Sequence, residues 1–156
     1  VLEWGASVTD GYEADDALGI EAADNTIICS IDKDLLQISG RHYNFVKKEW
    51  RFIDTREAKL CFYKQMLLGD RSDNVPGYDG MARQKPTRRI QQWFDELDLC
   101  TGEDEMFQIV AHAYNYNKEA LVRTAKLLHI WRKENDEWTL PPEMESLFEF
   151  SPQTEE

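Results

Sequence analysis

The chain has 156 residues, 42% of them hydrophobic, with five tryptophans, so it has the length and apolar content for a real core and is not a disordered polymer. No apolar run approaches the ~20 residues of a membrane helix, and no basic-then-apolar leader opens the chain, which argues against a membrane partner. The net charge of −12 excludes a broad basic face, yet eight acids and no Lys or Arg fall in residues 134–156, leaving 22 acids against 18 bases before them.

In chain order, Val1, Leu2 and Trp4 read as a strand, so the chain is expected to open inside a domain. Residues 11–24 read as a helix capped by Asp10, with acids in the first turn and Leu18, Ala22 and Ala23 as apolar positions. Thr26 to Ile31 is a short apolar run, expected to be a strand buried on both faces. Tyr43 to Val46 and Trp50 to Ile53 predict a hairpin. Arg56 to Leu68 predicts a helix with Leu60, Tyr63 and Leu67 on one stripe, stopped by Gly69.

Pro86 suits the first turn of a further helix that buries Ile90, Trp93, Phe94 and Leu97. Two more helices are expected over 103–116 and 118–134. The stretch from Pro141 carries prolines, acids and scattered apolar residues and is expected to drape the surface or move. Cys29, Cys61 and Cys100 lie far apart with no CxxC pair, as reduced thiols of a cytoplasmic protein do; each reads best as a small buried hydrophobe. His42, His112 and His129 are scattered and read as structural. The order is α/β first, then all helix.

Three acidic clusters carry the chemistry. Glu13, Asp15 and Asp16 start a helix; Asp32 and Asp34 follow a strand at i, i+2; Asp70 and Asp73 sit three apart in a turn. Each alone suits a helix dipole or a solvated loop. Loops after the C-terminal ends of strands in an α/β sheet converge on one edge, however, and seven carboxylates gathered there would repel one another strongly. Hard divalent cations relieve that conflict. Mg²⁺ takes oxygen ligands, two ions can act together on a phosphodiester, and no Cys or His cluster points to zinc.

The motifs GYEADD (residues 11–16), SIDKDL (residues 30–35) and GDRSDNVPG (residues 69–77) resemble, in order and spacing, the flap endonuclease/5′-nuclease family. This family includes bacteriophage 5′→3′ exonucleases and the 5′-nuclease domain of bacterial DNA polymerase I. The resemblance covers residues 1–97 well and the helical remainder loosely. It implies a partial PIN-like α/β nuclease fold lacking the first strand and arch, followed by a helix-three-turn-helix and a helical C-terminal region. The corresponding division is residues 1–69, 70–138 and an acidic tail, 139–156.

It further implies a site for two Mg²⁺ or Mn²⁺ ions. Glu13, Asp15, Asp16, Asp32 and Asp34 match the first ligand clusters, and Asp70 and Asp73 the second-metal side, with metal-activated water as nucleophile. The stretch after Asp73 matches the family's helix-three-turn-helix, with DNA carrying free 5′ ends or flaps as partner. Gly77 and Gly80 allow close approach of backbone to phosphate, and Arg83, Lys85, Arg88 and Arg89 add sequence-independent attraction. A K⁺ ion belongs to that element in the family. Where the family has Gly-x-Gly-x-Lys-Thr/Ser-Ala, residues 80–86 read GMARQKP, with Ala82 at the second glycine and the lysine shifted.

The resemblance also implies a first strand with a metal-binding Asp and a helical arch ahead of Val1, which makes the missing N-terminal segment a partner, supplied in a longer or a separate chain. A phage-encoded member would work in the cytoplasm of a bacterial host. Two other readings stay open on the residues alone. One is a structure-specific DNA-binding fragment without catalysis; the other is a PIN-type ribonuclease.

Overall fold

The computed structural model describes residues 5–149 and shows a mixed α/β chain with a three-stranded sheet. The expected strand at Val1 to Trp4 and the end of the acidic tail, residues 150–156, lie outside the described residues. Two units divide the chain: Val1–Ala58 with Ile130–Glu137, and Lys59–His129 with Trp138–Glu156.

In the first unit, strands β1 (Ile27–Cys29), β2 (Gly40–Asn44) and β3 (Glu49–Ile53) lie in the order β1-β2-β3. β1 pairs parallel with β2, setting Ile27 beside Arg41 and Cys29 beside Tyr43. β2 pairs antiparallel with β3, setting Arg41 opposite Phe52 and Tyr43 opposite Trp50. The predicted hairpin is therefore present. Asn44 folds its turn, its Oδ1 accepting from the N–H groups of Val46 at 3.2 Å and Lys47 at 2.9 Å.

The strand expected to be buried on both faces is not: in β1 Ile28 is buried while Ile27 and Cys29 are exposed. Among the described residues β1 is an edge strand, and one of its faces has nothing packed on it, so Cys29 is no buried hydrophobe. The other face carries Ile28, His42 and Ile53, all buried. Below it a small core joins Ile28, Leu35, Ile38 and Ile130, with Leu35 held in a 3₁₀ helix, Asp34–Gln37. His42 is structural, its Nε2 bonding to the carbonyl of Ile38 at 2.8 Å.

Helix α1 is shorter than predicted, Ala14–Glu21, and Glu13 rather than Asp10 stands at its N-cap. Glu13 N–H bonds to Asp16 Oδ2 at 3.4 Å. The segment from Ile130 crosses α1 at Gly19, where a Cβ would lie 2.1 Å from the carbonyl oxygen of Trp131. Gly19 is what permits that crossing.

The second unit is helical and holds the larger core. α2 (Thr55–Leu68) buries Leu60, Tyr63, Met66 and Leu67. α3 (Arg88–Leu99) buries Ile90, Trp93 and Leu97, with Phe94 half-buried, as its periodicity predicts. Its cap is Thr87, whose hydroxyl accepts from Ile90 N–H at 3.3 Å, so Pro86 precedes the helix instead of sitting in its first turn.

α4 (Glu103–Ala113) and α5 (Lys118–Leu128) are both shorter than predicted. Asn115 and Tyr116 take left-handed backbone angles (φ 50° and 56°) and end the first of them; Asn117 then caps α5 by accepting from Ala120 N–H at 3.0 Å. Tyr114 hydroxyl donates to the Met66 carbonyl at 2.7 Å, tying α4 to α2. The stretch from Pro141 does not drape loosely. It forms a 3₁₀ helix, Pro142–Phe148, that buries Met144 and packs Leu147 and Phe148 on the core, because its few apolar residues fall on one side. No helix among the described residues is long and apolar enough to cross a membrane.

Candidate metal and nucleic-acid sites

The loop that follows α2 is built from backbone upward. Gly69 leaves the helix with φ 73°, and a Cβ there would meet the Val75 carbonyl oxygen at 2.4 Å. A Cβ on Gly77 would meet the Leu67 carbonyl oxygen at 2.5 Å. These two glycines let the loop fold back onto the end of α2. Its N–H groups at Tyr78 (3.3 Å) and Arg83 (3.0 Å) then bond to the carbonyls of Leu67 and Leu68, which the helix itself leaves without partners.

Within that loop Asp70 and Val75 exchange two backbone bonds, 2.9 and 2.8 Å, with Asn74 at φ 57° between them. The Asp70 side chain is 2% exposed. Its Oδ1 accepts from the N–H of Ser72 at 2.7 Å, the Ser72 hydroxyl, and the N–H of Asp73 at 3.3 Å. Asp73 is exposed, and carboxylate oxygens of the two aspartates lie within 4.8 Å of each other. The i, i+3 spacing thus does bring this pair together. Asp70 also organises the loop that presents Asp73.

The other five predicted ligands stand in the first unit. Among the described residues, Glu13, Asp15, Asp16, Asp32 and Asp34 supply by themselves no group of three carboxylates within 4.8 Å of one another. Glu13 and Asp32 are exposed; Asp15, Asp16 and Asp34 are half-buried. Asp16 Oδ1 accepts from the N–H of Trp131 at 2.9 Å, and Tyr12 stacks on that indole at 6.0 Å. Asp32 starts the 3₁₀ helix, its Oδ1 accepting from Asp34 N–H at 2.9 Å. Lys33 Nζ stands 4.0 Å from Asp34 Oδ1.

Arg132 joins the same corner. Its guanidinium donates to the carbonyls of Gln37, Ile130 and Trp131, and burial pulls its pKa down despite the nearby carboxylates of Asp136 and Asp16. The sequence gives no spacing signal for the Asp16–Trp131 contact, since 115 residues separate the pair.

The basic residues also divide. Asp79 grips Arg83 bidentately, with both N–O distances at 2.6 Å. That pairing holds the Asp79 carboxyl below its ordinary pKa and raises that of the guanidinium. Asp79 was not among the predicted site residues, although its i, i+4 spacing to Arg83 was readable. Lys85, Arg88 and Arg89 are exposed, and the Arg89 guanidinium lies 5.0 Å from the Trp93 ring centre. Gly77 N–H donates to the Met81 carbonyl and Gly80 N–H to the Gly77 carbonyl, each at 3.0 Å. Both amides are used inside the loop. Gly80, at φ 78°, has open space where a Cβ would stand.

No family model matches the chain, and no solved structure matches it. The chain is similar to a DNA polymerase I of Borreliella burgdorferi, with 31% identity over 106 aligned residues that cover 57% of this chain. It spans 12% of the length of that relative.

Proposed function

We propose that this chain is part of a divalent-metal-dependent nuclease that hydrolyses DNA phosphodiester bonds at free 5′ ends or flaps. The observation that carries the reading is the Asp70 loop. A buried carboxylate, held by Ser72 and the Asp73 amide, presents a second carboxylate within 4.8 Å. The similarity to a DNA polymerase I supports DNA as the substrate class.

The donor set suits a hard cation, being all oxygen with no His or Cys in the group. We assign Asp70 and Asp73 of the second unit, and Glu13, Asp15, Asp32 and Asp34 of the first, to hold Mg²⁺ or Mn²⁺. Asp16 serves through its bond to Trp131 N–H, orienting the start of α1. When bound, such ions lower the pKa of water and offset the charge of a phosphodiester. Lys85, Arg88 and Arg89 attract the strand without reading its sequence, while Arg83, locked to Asp79, keeps the loop in shape.

A second reading, DNA binding without catalysis, draws support from the internal hydrogen bonds that already occupy Asp16 and Asp70. The test is incubation of a 5′-labelled flap duplex with the chain in Mg²⁺ and in EDTA. Product formed in Mg²⁺ and absent in EDTA is expected. Binding without product selects the second reading, and neither binding nor product overturns both.

A further inference from the structure

We infer that the open face of the three-stranded sheet is a binding platform for single-stranded DNA, separate from the loop and helix of residues 77–89. This inference rests on the proposed function for its choice of DNA as the polyanion. The sheet register puts Ile27 and Cys29 of β1, Arg41 and Tyr43 of β2, and Trp50 and Phe52 of β3 on one face. That face is open: Trp50 is 64% exposed and Phe52 68%. Large aromatic side chains left in water on adjacent positions mark a surface made to be covered.

Charge indicates what covers it. Arg41 lies on this face and Lys47 and Lys48 at its hairpin turn, while Glu49, the one acid of residues 41–52, falls on the other face with Arg51, in a chain of net charge −12. Lys47 and Lys48 stand exposed at the hairpin turn, next to the aromatic rings. Tyr43 and Trp50 pack with ring centres 4.8 Å apart, which holds the indole in place as a preformed surface. Trp50 and Phe52 lie two residues apart on one strand, about 7 Å, so each ring can take a base of its own. Rings that stack bases, flanked by lysines that track a backbone, are the features that hold single strands without reading their sequence.

A cavity of about 350 Å³ belongs to the opposite face, where His42, Asn44 and Arg51 line it, and it meets the platform only at the hairpin end, through Lys47 and Trp50.

The test is titration of dye-labelled oligothymidylate, a probe that cannot form a duplex with itself, with the full chain, followed by fluorescence anisotropy of the dye. Wild type is expected to bind and raise the anisotropy. Trp50→Ala/Phe52→Ala should weaken that binding at least ~10-fold, leave affinity for a blunt duplex unchanged, and recover most of it as Trp50→Phe/Phe52→Tyr. Because both side chains are exposed, circular dichroism should show all variants folded. Oligothymidylate binding that the alanine pair leaves intact, or that wild type lacks, overturns the inference, as does a dimer that the alanine pair dissolves. A chain that cleaves flaps yet binds no single strand loses the platform and keeps the nuclease; the reverse result keeps the platform and removes the nuclease.

Discussion

Asp70 Oδ1 accepts the Ser72 N–H at 2.7 Å while Asp73, three residues on, leaves its carboxylate exposed. One aspartate shapes the loop and the other is displayed by it. Their substitutions should therefore separate. Asp70→Ala removes a buried acceptor from two N–H groups and a hydroxyl, and should destabilise the fold by about 1–3 kcal/mol. Asp73→Ala should stay within about 0.5 kcal/mol of wild type, as exposed substitutions do. Urea denaturation of the two variants gives both numbers.

Gly77 sets a steric limit on the same loop. A Cβ would come 2.5 Å from the Leu67 carbonyl oxygen and 2.8 Å from the Leu68 carbonyl carbon, both backbone atoms at the end of α2. Gly77→Ala should cost about 2 kcal/mol or more in thermal or urea denaturation, whereas Gly80→Ala, with open space but φ 78°, should cost about 1 kcal/mol. If the two cost the same, close packing is not what Gly77 supplies.

The Asp79–Arg83 pair makes the loop acid-sensitive. The folded carboxyl pKa is lowered, first by the hydrogen bond from Arg83, so its contribution is present above the unfolded carboxylate pKa. That contribution is lost as pH falls through the folded value. The protection factors of the amides of residues 77–83, referred to the intrinsic exchange rate at each pH, should fall on acidification in wild type. In Asp79→Asn they should already be low at neutral pH and respond less to acid.

Tyr114 acts at the opposite end of the scale. Burial first of all pushes its pKa from 10.0 up to about 12. A raised folded pKa means that the native state holds the proton more tightly. The stabilisation is therefore full below pH 10 and is lost as pH rises from about 10 to about 12. The whole step amounts to roughly 2–3 kcal/mol. Tyr114→Phe should make the alkaline loss of stability in urea denaturation smaller by that step, leaving the part due to buried Tyr63, while costing about 1 kcal/mol at neutral pH for the lost bond to Met66.

Much of this was legible in local pattern. The hairpin, the Ile90, Trp93, Leu97 stripe of α3 and the stop at Gly69 follow from periodicity and turn chemistry. The helix ends did not, because left-handed Asn115 and Tyr116 interrupt a pattern that continues past them, and the Thr87 hydroxyl starts α3 at Arg88 where Pro86 alone pointed to an earlier start. The exposure of β1 was hidden for another reason. A continuous apolar run signals burial, yet whether a face is covered depends on what packs there, as Ile27 and Cys29 show. Asp70 and Asp73 were readable as a pair from their spacing; Asp16 was readable as an acid in a first turn, but its tie to Trp131 depends on a return of the chain that no local signal announces.

Metal binding can be read without turnover. Mn²⁺ titration followed by electron paramagnetic resonance should show uptake by wild type that Mg²⁺ displaces. Asp73→Asn should weaken that uptake at least ~10-fold with no loss of fold. Equal uptake by both would remove Asp73 from the ligand set.

Cleavage of a 5′-labelled flap duplex in Mg²⁺ by wild type and Asp73→Asn tests the nuclease assignment most directly. Wild type should release labelled product that EDTA abolishes, and the variant should be slower by about 100-fold or more while still binding the duplex. Equal Mg²⁺-dependent rates for the two proteins would contradict the assignment of this loop as a catalytic metal site.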